Sequence, residues 1–270
     1  MIKKGISDLV LASALWGTIG IVTQIGYSYG ANSFQIIIFR GITSSILVLA
    51  FFRNISKILN KTSLIMGIVA IVFYETYIYT IDVLGASLSA VFLYTAPIFV
   101  IIASKIWLKD VVNIRKLAAS FLVILGVYLI YFSKISIEDI GWGLASGLTY
   151  ALLIIYSRHM QLRGFQDREI LSSQVIWSTP FSLLFYLLSP SLAISSIWTG
   201  AYLGIVATFL AYFFFYRGMR STDSITATVI SSLEPVFTII FAAIILRQFL
   251  TILQLLGSTL ILLSAILVSL

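Results

Sequence analysis

Ten apolar runs, separated by breaks of only two to ten residues, govern what this chain can fold into. They cover about 7–28, 33–52, 62–82, 85–107, 114–132, 138–157, 168–188, 195–216, 224–246 and 251–270. A helix of about 20 apolar residues spans the hydrocarbon core of a bilayer. In lipid, only helices and closed barrels satisfy every backbone polar group within themselves. Charged residues make up 10% of the 270, against about 25% in soluble domains, so no folded soluble domain fits between the runs. The expectation is an all-α polytopic membrane protein with ten transmembrane helices. Lys3-Lys4 followed by an apolar stretch and Ala12-Ser13-Ala14 imitates a signal peptide, but we read it as a retained first helix.

Charge placement supports the count. With the N-terminus in the cytoplasm, 14 of the 17 Lys and Arg fall in inner loops or inner helix ends; Lys134 and Arg247 fall outside and Arg40 within the second helix. The positive-inside rule then predicts a multi-pass protein of the cell membrane with both termini cytoplasmic. The net charge of +7 is absorbed by this bias, and no nucleic-acid partner is expected. Without cysteine, and with His159 as its single histidine, the chain offers no thiolate or histidine-rich metal site. It carries no phosphate-binding glycine loop either. No metal, cofactor or nucleotide is therefore expected.

A repeat underlies the ten runs. A shift of 138 lays Pro97 on Pro235 and continues without a gap to Leu129 on Leu267, matching Phe99 with Phe237, Ser120 with Ser258 and Lys109 with Arg247. Leu11-Ala12-Ser13-Ala14-Leu15 recurs as Leu144-Ala145-Ser146-Gly147-Leu148. The chain divides into 1–135 and 136–270, each with five helices. Five is odd, so the second repeat enters the membrane inverted, the usual build of secondary transporters. Pro97 and Pro235 each lie about eleven residues into their helix, ~16 Å along it and so near the midplane. A proline there kinks the helix and frees a carbonyl. Glu234 stands beside Pro235, and an acid at that depth, costing on the order of 3 kcal/mol, faces a cavity or a partner.

These features resemble the EamA-like branch of the drug/metabolite transporter superfamily. The resemblance rests on Trp16-Gly17, Arg40, Pro97-Ile98-Phe99, Pro235-Val236-Phe237 and Leu233-Glu234-Pro235, and it covers the whole chain. It departs at Leu108-Lys109-Asp110 and Leu246-Arg247-Gln248, where members of the family commonly carry Leu-Gly-Glu. The resemblance implies an alternating-access carrier of small metabolites, often amino acids and often outward. It also implies a central cavity lined by the first, third, fourth, sixth, eighth and ninth helices.

On those helices Glu234 is the leading candidate, binding a substrate ammonium or exchanging a proton. The alternative is an acid that satisfies backbone freed by Pro235. Trp16, Tyr77, Tyr94 and Tyr212, all near the midplane, are candidates to line the site or close it. Arg40 and Glu75 lie at similar depth, ~10 Å from one face, and are expected to form a structural ion pair. The competing role for Arg40 is to clamp a substrate carboxylate. Pro97, Pro235, Arg40 and Glu75 are thus structural or gating residues. The expected function is secondary-active transport of a small molecule, with proton coupling as one option, by a monomer or weak homodimer in the lipid bilayer, and not an enzyme. The alternatives are a membrane-embedded enzyme acting on lipid-linked groups, which would need a paired acid or metal set near one face, and a lipid-carrier flippase of the same fold.

Overall fold

A computed structural model describes residues 2–52, 56–108, 111–130, 137–186, 192–245 and 251–269. Among these residues the chain is all-α and makes ten helical passes. The first, α1, comprises Ile2–Trp16 and Ile19–Ser28, broken at Gly17-Thr18; α2 is Ser33–Phe51. Asn32 starts α2 by accepting a hydrogen bond from the Phe34 amide at 2.9 Å, so one of the orphan N–H groups at the helix start is capped.

Helical hydrogen bonding then runs unbroken from Lys61 to Leu93, past the break expected after residue 82. Its contacts with the later helix Ile137–Leu162, α6, nevertheless reverse direction. Thr62 meets Tyr156, Phe73 stacks on Tyr150 and Tyr79 meets Trp142, an antiparallel order. Phe92 then lies against Gly143, Thr95 against Gly147 and Trp107 against His159, a parallel order. We number the ascending part, Lys61–Leu84, α3. The descending part, residues 85–93 continued by Ala96–Ala103 and a π-helical turn over Ser104–Leu108, is α4. The remaining passes are α5 (Ile114–Ile130) and α7 (Asp167–Tyr186). They are followed by α8 (Ile194–Tyr202, a π-helical stretch Leu203–Leu210, Ala211–Arg220), α9 (Ser224–Ser231 and Glu234–Ile245) and α10 (Ile252–Ser269).

Among the described residues six stretches are individually long and apolar enough to cross a membrane, and they lie in α1, α2, α3, α8, α9 and α10.

The inversion is visible in how equivalent helices meet. The turns that interrupt α4 and α9, at 94–95 and 232–233, are 138 positions apart, as are the starts of α5 and α10. In the α4/α9 pair, Ser104 hydrogen-bonds Ser224 at 2.8 Å while Tyr94 reaches Glu234, so the two run antiparallel. In the α5/α10 pair, Ile130 lies at Gly257 while Ile261 lies at Gly126, again antiparallel. Each repeat's first helix also crosses to the other repeat's broken helix. Gly17 of α1 packs on Glu234 and Phe237, and Gly147 of α6 packs on Phe92 and Thr95. Without a hydrophobic force between helices in lipid, such small residues let backbones approach closely.

The end of the bundle that holds the N-terminus is basic and laced by ion pairs. Arg217 binds Asp8 through two bonds of 2.6 and 2.5 Å, Lys116 meets Asp223 at 3.2 Å and Lys57 meets Glu169 at 3.2 Å. These three join the two repeats, whereas Arg220–Asp167, at 2.7 Å, lies within the second. Burial raises the pKa of Asp167, and Arg220 and Gln161 oppose that shift by hydrogen bonding its carboxylate. Residues Arg53, Lys109, Asp110, Tyr131, Lys134 and 246–248, with the 135/136 boundary, lie outside the described residues. So do the side chains of Glu138 and Asp139.

A Cβ at Gly126 would lie 2.6 Å from the Gly257 carbonyl oxygen, whereas one at Gly141 would meet nothing within 4 Å. Gly126→Leu should therefore destabilise the protein by about 1–3 kcal/mol in detergent thermal unfolding, and Gly141→Ala should leave it unchanged or slightly stabilised.

Candidate functional site

Pro235 removes the amide that would bond the carbonyl four residues back, that of Ser231. That carbonyl instead faces the Tyr94 hydroxyl at 3.5 Å, and Tyr150 also hydrogen-bonds Ser231. The neighbouring Ile230 carbonyl accepts from Ser13 Oγ of α1 at 3.1 Å. The proline thus opens one turn of backbone toward α1, α4 and α6. Glu234 begins the helix that restarts after the turn, where the positive end of the helix dipole favours its carboxylate. It is buried, 6% exposed, and Tyr94 donates to its Oε2 at 2.6 Å. Tyr77 of α3 hydrogen-bonds it as well.

An aromatic sleeve surrounds this acid. Tyr77 stacks on Phe73, and Phe73 on Tyr150, with centroids 5.9 and 5.0 Å apart. Trp16 sets its ring edge against Tyr212 at 5.1 Å and against Tyr150 at 6.4 Å, and its Nε1 donates to the Ala207 carbonyl at 2.8 Å. The Ala207 carbonyl lies in the π-helical stretch of α8. The expected residues Trp16, Tyr77, Tyr94 and Tyr212 therefore converge, with Tyr77 and Tyr94 on the carboxylate and Trp16 and Tyr212 one ring away. Tyr150, which joins the two groups, was not among the expected site residues. Its signal was its register, since the first-helix echo at offset 133 places Tyr150 opposite Gly17.

Arg40 lies at the other side of Tyr212. Gly200 and Gly204 of α8 pack on the backbone of α2 around Arg40, and this approach lets Arg40 Nε reach Thr208 Oγ1 at 2.6 Å. Its guanidinium lies 3.9 Å above the Tyr74 ring, within the range of a cation–π contact. Tyr74 continues through Gln174 of α7 to Tyr216 of α8, and Tyr74 and Tyr212 have centroids 6.4 Å apart. No carboxylate pairs with Arg40 among the described residues.

The Arg40–Glu75 ion pair is therefore not formed, although the two lie at matching depth. Successive residues on a helix point about 100° apart, and Tyr74 holds the direction toward α2. Glu75, one residue on, turns toward Tyr27 of α1, and neither of its carboxylate oxygens has a hydrogen-bond partner among the described residues.

Residues 3–132 and 139–270 each match the EamA-like transporter family. The chain belongs to that family. Two uncharacterized transporters of Archaeoglobus fulgidus are each 25% identical to it. One aligns over 263 residues, 96% of this chain and 94% of its own. The other covers 89% of this chain and 88% of its own length. A crystal structure of a protein 16% identical superposes with a TM-score of 0.82 over 99% of this chain and 96% of its own, a likeness of fold. The protein is accordingly a multi-pass EamA membrane transporter. The positions that depart from the family's Leu-Gly-Glu, residues 109–110 and 246–248, lie outside the described residues.

Separation of Arg40 from Glu75 has a measurable consequence. A double-mutant cycle of Arg40→Gln and Glu75→Gln, followed by thermal unfolding in detergent, should be additive within ~0.5 kcal/mol. A coupling of about 1 kcal/mol or more would restore the ion pair.

Proposed function

We propose that this EamA transporter is a secondary-active carrier that moves small metabolites by alternating access, with amino acids, carried outward, as the first-choice substrates. The repeats 1–135 and 136–270 act as the moving halves, and the substrate sits between them at the crossing of α4 and α9. Pro97 and Pro235 are the hinges, because each ends the continuous hydrogen bonding of its helix near mid-depth. The basic end faces the cytoplasm of a cell-membrane protein, in keeping with the positive-inside bias.

One observation carries this reading. A carboxylate stands at the crossing of two equivalent broken helices, and its side chain is hydrogen-bonded by the phenolic hydroxyls of Tyr94 and Tyr77. Hydroxyl donors can be exchanged for a substrate ammonium at modest net cost, about 0.5–1.5 kcal/mol for each neutral bond given up. The ammonium gains a charge-assisted bond in return. Across the sleeve, Arg40 offers a guanidinium with no acid partner among the described residues, the complement of a substrate carboxylate. The three ion pairs that join the repeats at the basic end hold that side together in this conformation. Opening to the cytoplasm would separate them.

Transport by purified protein in liposomes, across a panel of amino acids, sugars and drugs with and without a pH gradient, tests the proposal. Amino acids should be carried, and Glu234→Gln should lower their transport about 10-fold or more, the loss of ~1.5–3 kcal/mol expected for a charge-assisted bond. Normal transport of every substrate by Glu234→Gln, with an unaltered pH response, would remove Glu234 from the mechanism.

A further inference from the structure

Glu75 is used neither by the fold nor by the substrate site. Both its carboxylate oxygens are buried and accept no hydrogen bond among the described residues. The surrounding groups are committed elsewhere. Arg40 of α2 lies over Tyr74, Gln174 of α7 bonds the Tyr74 hydroxyl, Tyr150 of α6 packs on Phe73, and Glu234 of α9 is bonded by Tyr77. Tyr27 of α1 is near enough to interact with Glu75, but its hydroxyl donates to the Ile78 carbonyl at 3.2 Å. No cation among the described residues pairs with Glu75.

An anion so placed is the most expensive state available to the side chain, because charge at membrane depth without a partner keeps the full desolvation penalty. The neutral acid avoids most of it. A route for the proton lies on the same helix face. Asp82 is seven residues on from Glu75, two turns of α3, so the two project within about 20° of each other and ~10 Å apart along the axis. Asp82 is exposed at the far end, where Ser33 Oγ lies 3.5 Å from its Oδ2.

We propose that Glu75 is a proton-binding site, loaded in this conformation and exchanging its proton with the far end of the bundle through Asp82. In the releasing step the Glu75 O–H bond breaks and its proton goes to water admitted from the far end, because ~10 Å is too far for one transfer; that water delivers the proton to the Asp82 carboxylate, which yields it to bulk solvent. The Glu75 carboxylate is reprotonated by the reverse path. The site is separate from Glu234, since Glu75 and Tyr77 project from α3 in directions about 160° apart. Its link to the transport cycle rests on the alternating-access reading above.

The loaded state can be read without knowing the substrate. N,N′-dicyclohexylcarbodiimide adds across the O–H of a buried carboxylic acid and rearranges to a stable N-acylurea, which peptide mass spectrometry locates. The wild-type protein in liposomes should be labelled at Glu75 near neutral pH, with labelling slowing as the pH is raised, and Glu75→Gln should lose that adduct. Absence of an adduct at Glu75, or labelling independent of pH, would overturn the proposal. A second arm compares flux of a radiolabelled amino-acid mixture driven by an imposed pH gradient with its equilibrium exchange. Glu75→Gln should lower the ratio of gradient-driven to exchange flux, and an unchanged ratio, or a wild type blind to the gradient, would also overturn it. If the wild type moves none of the mixture, the amino-acid assignment fails, and the carbodiimide result alone still decides Glu75.

Discussion

The antiparallel crossing of α4 and α9 is the contact on which the rest of the molecule depends. Two helices that each lose a backbone bond to proline would leave unsatisfied carbonyls in hydrocarbon, where nothing else can meet them. Here the break in α9 is met by a side chain from the break in α4. Tyr94, at the interruption of α4, reaches both the Ser231 carbonyl and the Glu234 carboxylate at the interruption of α9. Ser13 and Gly17 of α1 complete the same turn, the latter by accepting a bond from Thr238 at 2.9 Å. A cluster satisfied largely by side chains from other helices can be re-satisfied in a second arrangement. A continuous helix cannot do this.

The glycine contacts explain how the repeats come close enough for this exchange. Gly17 and Gly147 bring each first helix against the opposite repeat's break, Gly126 and Gly257 bring α5 onto α10, and Gly200 and Gly204 bring α8 onto α2. Charge is distributed differently. The described ion pairs that join the repeats gather at the basic end, while the far end is joined by neutral bonds, such as the Asn32 amide to Ser196 Oγ at 2.9 Å and the Ala193 amide to Gln35 Oε1 at 3.0 Å. The two ends therefore differ in what must be broken to open them.

Much of this architecture was legible in the residues. Hydrophobic run length gave ten passes, the 138-residue register placed both breaks, and depth on the helices that the family resemblance assigned to the cavity singled out Glu234 with Trp16, Tyr77, Tyr94 and Tyr212. What escaped was information carried by direction around a helix and by local backbone. Depth brought Arg40 and Glu75 together, but the rotation between Tyr74 and Glu75 sent the acid elsewhere. The break in α1 carries no proline; Thr18 Oγ1 bonds the Leu15 carbonyl at 2.7 Å and competes with the helix there. The π-helical stretch of α8, whose Ala207 carbonyl receives Trp16, has no signal in hydrophobic periodicity.

Cysteine cross-linking tests the inverted crossing most directly, since the natural chain contains no cysteine to interfere. Ser104 and Ser224 touch through their hydroxyls at 2.8 Å, and Tyr94, ten residues before Ser104, meets Glu234; a parallel crossing about that contact would instead set Ser104 opposite Ile244, ten residues after Glu234. Mild oxidation of Ser104→Cys/Ser224→Cys should form an intramolecular disulfide, and Ser104→Cys/Ile244→Cys should form none. A disulfide in the second pair and not in the first would mean that α4 and α9 run in the same direction, contradicting the account.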